Sequence, residues 1–318
     1  MASLAVVRLG VILAVGAFGC SGGGKDAGRR DPPGAVVTTD VHNFVAALDR
    51  RTPADSACLA FDGYLRAGSP GLKAYRDKMG MGPTELCSAV RHDPARYSAL
   101  RAKVAGIDSA QRDIRAAFVK FAELSPGAKL PTVYFVVGDG MSGGTTTGGR
   151  NPIVLVGAEL LGSLNGLPVL TVHEFVHTQQ HYPLLKIFDA GPRFLHGTLL
   201  AQSVKEGSAD FLAELATTQV AAVSRDAYGD AHEEEIWHDF ERDMHGKDYS
   251  RWIYNGWNKK ALGNRPSDLA YYVGYRITKA YYDRSVDKKA AIREILSIRD
   301  FDEFLRESGY NGSRPSAG

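Results

Sequence analysis

Thr171-Val172-His173-Glu174-Phe175-Val176-His177 is the stretch from which the rest of this chain can be read. On an α-helix four residues turn about 400° and rise roughly 6 Å, so His173 and His177 present their rings from one face, one turn apart. That arrangement suits two imidazoles sharing a metal ion. Glu174 lies about 100° around from His173, within reach of a water on that metal without ligating it, which is the place of a general base. The bland alternative is a helix whose histidines are solvated or packed.

Two imidazoles leave a zinc ion short of ligands, and catalytic zinc sites take a third protein ligand while keeping a fourth position for water. A third histidine ten residues after the first would mark the metzincin pattern, but Pro183 stands there. Lys205-Glu206-Gly207-Ser208-Ala209-Asp210 is the better source. On a helix Glu206 and Asp210 share a face, so Glu206 can bind the metal while Asp210 accepts a hydrogen bond from the far nitrogen of a ligand histidine.

An HExxH followed by E-x-x-x-D on a second helix resembles the gluzincins, the thermolysin-like branch of zinc metallopeptidases. The resemblance implies one zinc ion held by His173, His177 and Glu206, with Glu174 as catalytic base and Asp210 supporting a ligand. Residues 134–137, Ser142-Gly143-Gly144-Thr145 and Tyr271-Tyr272-Val273-Gly274-Tyr275-Arg276 extend the likeness, over about residues 55–310, to predicted bacterial zinc proteases of poorly defined function. The chain departs from thermolysin in the connection between His177 and Glu206.

Composition bounds the alternatives. The chain has 318 residues, 44% of them hydrophobic, enough for one large or two modest domains with a core, and its net charge is only +2. With no basic run there is no electrostatic case for nucleic acid. Residues 1–20 read as an export signal: Arg8, an apolar run from Leu9 to Phe18 too short to span a bilayer, then Cys20. Ala17-Phe18-Gly19-Cys20 resembles a bacterial lipobox, which implies an acylated Cys20 and a membrane anchor in the cell envelope; the alternative is a cleaved, secreted protein. Residues 21–38 read as a flexible linker. In an exported protein Cys58 and Cys87 are expected to pair as a disulfide, the alternative being two buried thiols.

Residues 41–123 carry three- and four-residue apolar spacing and read as a helical N-terminal region, 39–128 in domain terms. Residues 132–137 and 153–156 read as strands, one of them a possible edge for pairing extended substrate, with a glycine and threonine loop at 138–149 between them. That loop lacks the lysine and following helix of a phosphate cradle. Pro168 begins the metal helix, residues 198–218 carry the acidic pair, and residues 232–244 form a charged helix. Ser267 caps a helix on which Tyr271 and Tyr275 share a face, where a phenol can serve a developing oxyanion or simply pack. Trp252, Tyr254 and Trp257 read as core or cleft aromatics. Asp300 and Glu303 start a last helix ending near Gly309, and residues 311–318 form a tail.

The expectation is therefore an α+β, mainly helical protein, with a zincin-like catalytic region over 129–310 that holds a small sheet. The expected activity is hydrolysis of peptide bonds in peptide or protein substrates through a zinc-bound water activated by Glu174. A rival from another class is a non-catalytic, zinc-stabilised envelope lipoprotein acting in binding or assembly, its site closed by a fourth ligand such as His181 or His196. A helical module with an accidental motif is the third.

Overall fold

The computed structural model describes residues 31–50, 58–147, 151–182, 197–256 and 262–313. The expected export signal with Cys20, most of the linker, Pro183, His196 and Trp257 lie outside them. The fold is α+β and mainly helical, with a small four-stranded sheet. No helix among the described residues is long and apolar enough to cross a membrane.

The chain divides into two compact units, residues 1–111 with 131–164, and residues 112–130 with 165–318. The expected boundary at 128/129 put the strands with the metal motif; they group instead with the N-terminal helices. The reason is strand β1 (Val36–Val37), which pairs in parallel with β2 (Thr132–Val136), Val36 opposite Val133. The expected linker thus ends before Val36, not at residue 38. Strand β2 also pairs in parallel with β4 (Ile153–Gly157), and β3 (Gly144–Thr146) closes the order β1-β2-β4-β3 antiparallel to β4. Both strands expected from sequence are therefore internal, and the edges are β1 and β3, the second inside what reads as a loop. Every residue of β2 is buried, as expected of a strand covered on both faces.

Helices α1 (Thr39–Arg50) and α3 (Pro70–Met79) pack on β2. Gly71 permits this: a Cβ there would stand 2.1 Å from Tyr134 Cγ. The buried Asp40 carboxylate accepts from the Ser69 amide at 3.0 Å and from its hydroxyl, tying α1 to the start of α3. Phe44 stacks on Phe61 of α2 (Leu59–Arg66) with centroids 5.3 Å apart. The expected disulfide is present, joining Cys58 before α2 to Cys87 in α4 (Pro83–His92). Helix α5 (Pro94–Ser98) leads into α6 (Leu100–Leu124), a single helix whose residues from 112 onward belong to the second unit.

In the second unit, α7 (Leu167–Gln179) begins with Pro168 in its first turn and is buried on most sides. Phe175 packs against Phe118 and Phe121 of α6, each ring centroid 4.8 Å away. Helix α8 (Leu199–Thr217) starts at Thr198, whose hydroxyl accepts from the Ala201 amide, and ends at Thr218 in the left-handed conformation. Helices α9 (Val223–Ala231) and α10 (Glu233–Asp243) follow, the first of them without a sequence expectation. Trp252 is core, its indole donating to Asp243 at 2.8 Å.

Helix α11 (Leu269–Arg284) is preceded by Asp268, not Ser267, and that cap makes no side-chain bond to the helix because its carboxylate is engaged elsewhere. Helix α12 (Lys288–Ile295) precedes α13 (Phe301–Ser308), which Asp300 caps through the amides of Asp302 and Glu303. Glu303 turns to Arg306 instead of closing a capping box. The tail is packed as far as Gly312, which lies against Trp237.

Helices α8 and α11 cross backbone to backbone. A Cβ on Gly207 would sit 2.2 Å from the Gly274 carbonyl carbon, and one on Gly274 only 1.8 Å from the Ser203 carbonyl oxygen. Backbone atoms cannot rotate away, so a methyl group here forces the helices apart. Gly274→Ala is expected to destabilise the second unit by about 3 kcal/mol or more, read from denaturant unfolding. In the first unit, removing the bridge by replacing Cys58 and Cys87 with alanine is expected to cost about 3 kcal/mol, since the bridge closes a separation of 29 residues. Thermal unfolding with and without reductant measures it.

Candidate metal centre

Helix α7 turns His173 and His177 toward α8, and one face of α8 carries Glu206 and Asp210 back toward them. His173, Glu174, Glu206 and Asp210 are each at most 8% exposed. The two Nε2 atoms are 3.0 Å apart; Glu206 Oε2 is 3.0 Å from that of His177 and 3.4 Å from that of His173. These three atoms form a near-equilateral triangle. Ligands about 2.0–2.1 Å from a small tetrahedral cation stand about 3.3 Å from one another, so the triangle fits such an ion. His173, His177 and Glu206 are the group of described residues that could hold a metal ion.

The far nitrogens explain why the near ones converge. His173 Nδ1 lies 2.7 Å from Asp210 Oδ1, as expected from sequence, and Asp210 Oδ2 accepts from Arg225 at 2.8 Å. His177 Nδ1 lies 2.8 Å from Gln180 Oε1. Gln180 Nε2 donates to the Lys205 carbonyl at 2.7 Å and to Ser208 Oγ at 3.0 Å, so its oxygen must face the ring and accept from it. Each histidine therefore keeps a proton on Nδ1, so that Nε2 is the nitrogen that can bind a cation.

Glu206 is held as firmly. Its Oε1 accepts from Tyr254 Oη at 2.7 Å, Gln202 Nε2 at 3.1 Å and Lys205 Nζ at 3.2 Å. Burial works against its charge, but the neighbouring charges of His177 and Lys205 and the histidine hydrogen bonds hold its pKa well below the usual value. For Asp210 burial is likewise outweighed, by His173 and Arg225. Burial resists charge on His173, yet Asp210 and Glu206 lift its pKa to about 10, so without a metal its Nε2 holds a second proton, whose place a bound cation would take. Glu206 beside the two Nε2 atoms and Asp210 behind His173 thus make this a point that attracts positive charge.

Glu174 makes no hydrogen bond or ion pair with the described residues. The residue is 7% exposed, yet its carboxylate oxygens are not sealed off as buried atoms without a partner, so they stay open to a reactant. Tyr271 stacks on His173 with centroids 6.1 Å apart, and the Arg225 guanidinium lies over the Tyr271 ring, 5.3 Å from its centre. Tyr275 does not join the site. Its hydroxyl donates to Glu214 at 2.7 Å and its ring packs on Phe211, because one helical turn carries it along α8 and away from the imidazoles. His181 is exposed and stays outside the metal-binding group.

Sequence reasoning missed Gln180, Gln202, Lys205 and Arg225, and gave Tyr254 only a packing or cleft role. Gln180 had a signal, standing three residues after a ligand histidine; Gln202 is one turn before Glu206. Arg225 and Tyr254 come from distant segments and had none. No family model matches the chain, and neither the curated proteins nor the solved structures contain a significant match to it.

Isothermal titration of a divalent metal into the protein is expected to give one site, lost in His173→Ala. Asp210→Asn, which leaves the three ligands in place, should weaken binding about 10- to 100-fold.

Proposed function

We propose that the chain is an exported zinc-dependent peptidase, anchored to a membrane through Cys20. The observation that carries this reading is the triangle of His173 Nε2, His177 Nε2 and Glu206 Oε2, with Glu174, which makes no hydrogen bond or ion pair among the described residues, next to His173 in the chain. Two imidazoles and one carboxylate are a zinc donor set of the catalytic kind, with three protein ligands and one position left over. When bound there, zinc would polarise a scissile carbonyl and acidify water.

The side chains divide the remaining work. Glu174 takes a proton from the attacking water as its oxygen bonds to the carbonyl carbon, and delivers that proton to the leaving nitrogen as the carbon–nitrogen bond breaks. No covalent bond to the protein is needed. Tyr271, stacked on His173, is the nearer of the two expected phenols to the site and the one retained as a donor to the developing oxyanion. Arg225 and Asp210 keep His173 in the tautomer that presents Nε2.

The Cys58–Cys87 bridge supports an oxidising, extracytoplasmic location. The rival structural zinc site needs a fourth protein ligand, and the group among the described residues has three.

Digestion of a peptide library by the mature protein tests the reading. Cleavage should stop with chelator and return with zinc. Glu174→Gln should retain zinc and lose at least about 10²-fold in rate; a variant that cleaves as fast as the wild type removes Glu174 as base.

A further inference from the structure

We infer that Tyr254 is a positioning residue for the metal centre: its hydroxyl pins one oxygen of Glu206 so that the carboxylate offers a cation only the other. This deepens the zinc-site reading and rests on it.

The two oxygens of Glu206 have different surroundings. Oε2 faces the imidazoles at 3.0 and 3.4 Å, whereas Oε1 is occupied by Tyr254, Gln202 and Lys205. An oxygen with three donors has no lone pair left for a metal ion, so Glu206 is confined to one-oxygen ligation and a corner of the coordination sphere stays open. Gln202 and Lys205 belong to the same helix as Glu206 and move with it. Of the three donors to Oε1 Tyr254 alone comes from another segment, so it alone ties that oxygen to the rest of the unit.

Packing does not account for where Tyr254 stands. The residue is 48% exposed, so its ring gains little from burial, and its backbone is left-handed at φ 55°. For an aromatic residue that conformation is an outlier, which persists only where the surroundings impose it. They do so here through a clamp of two bonds between residues 254–255 and Asp268. The Tyr254 amide donates to Asp268 Oδ1 at 2.6 Å, and the Asp268 amide donates to Oδ1 of the buried Asn255 at 3.0 Å. Asp268 is itself left-handed at φ 63°. The clamp therefore holds two strained residues face to face at the head of α11.

Three residues further on, Tyr271 stacks on His173, with the Tyr254 ring edge-on to it at 6.4 Å. One clamp thus sets both the phenol that holds Glu206 and the ring that lies on His173.

The test is cobalt binding to wild type and Tyr254→Phe, followed by titration and by the visible absorption of the bound ion. Four-coordinate cobalt(II) absorbs far more strongly in the visible than five- or six-coordinate cobalt. In Tyr254→Phe the affinity should fall about 10-fold or more, and the band should weaken as Oε1 becomes a second ligand atom. The melting temperature of the metal-free protein should change little. Wild-type affinity and spectrum in Tyr254→Phe overturn the proposal, as does a loss of thermal stability with the spectrum unchanged, which would mark Tyr254 as merely structural. If that variant does not fold, Asp268→Ala decides, since it opens the clamp and keeps the phenol; the same weakening is expected, and an unaltered cobalt site overturns the proposal. A wild-type protein that takes up neither cobalt nor zinc refutes the metal-site reading itself, and this proposal with it.

Discussion

A buried charge must meet its opposite, and the second unit is built around that demand. Asp210 stands between His173 and Arg225, at 2.7 and 2.8 Å, with almost no exposed surface. Taken singly, each of these groups would be costly to bury; linked, each satisfies the next. The chain of contacts ends at His173 Nε2, a nitrogen whose direction is already set by the proton on the other side of the ring. Glu206 obeys the same rule, since its inner oxygen is saturated and its outer one is aimed. What the polar network supplies is less stability than orientation, because paired buried ions gain little over an apolar core yet admit few alternative geometries.

Helix α8 carries this network because different sides of it meet different partners. Glu206 and Asp210, four residues apart and so about 40° around the helix, look toward α7. Ser203 and Gly207 form another such pair, turned toward α11, and there the backbones touch at Gly207 and Gly274. The absence of two methyl groups is what lets α11 approach closely enough for Tyr271 to lie on His173. A packing feature with no chemistry of its own thus sets how near the chemistry can be brought.

The parts of this arrangement legible in the sequence are those whose geometry is periodic. HExxH and the downstream E-x-x-x-D define helical faces by spacing alone, and His173, His177, Glu206 and Asp210 meet as that spacing implies. Apolar periodicity likewise locates α8 almost to the residue. What escapes is set by distance or by irregular backbone. Strand β1 is two residues long, too short for alternation to register, and β3 lies among glycines and threonines that read as loop. Tyr275 misleads for a subtler reason: sharing a face with Tyr271 places it on the same stripe but roughly 6 Å along the axis, where α8 offers Glu214 instead of a metal ligand. Arg225 and Tyr254 reach the site from separate segments, and no local pattern announces them.

The departures from local rules are themselves ordered. Among the described residues four non-glycine positions adopt the left-handed conformation. Thr218 ends a helix, and Cys58 is tied by a disulfide, so both have local explanations. The remaining two, Tyr254 and Asp268, are joined by the bond from the Tyr254 amide to the Asp268 carboxylate, beside Glu206. Strained backbone persists only where its surroundings impose it, so the two positions without a local explanation mark the neighbourhood of Glu206 as a place where tertiary geometry outweighs local preference.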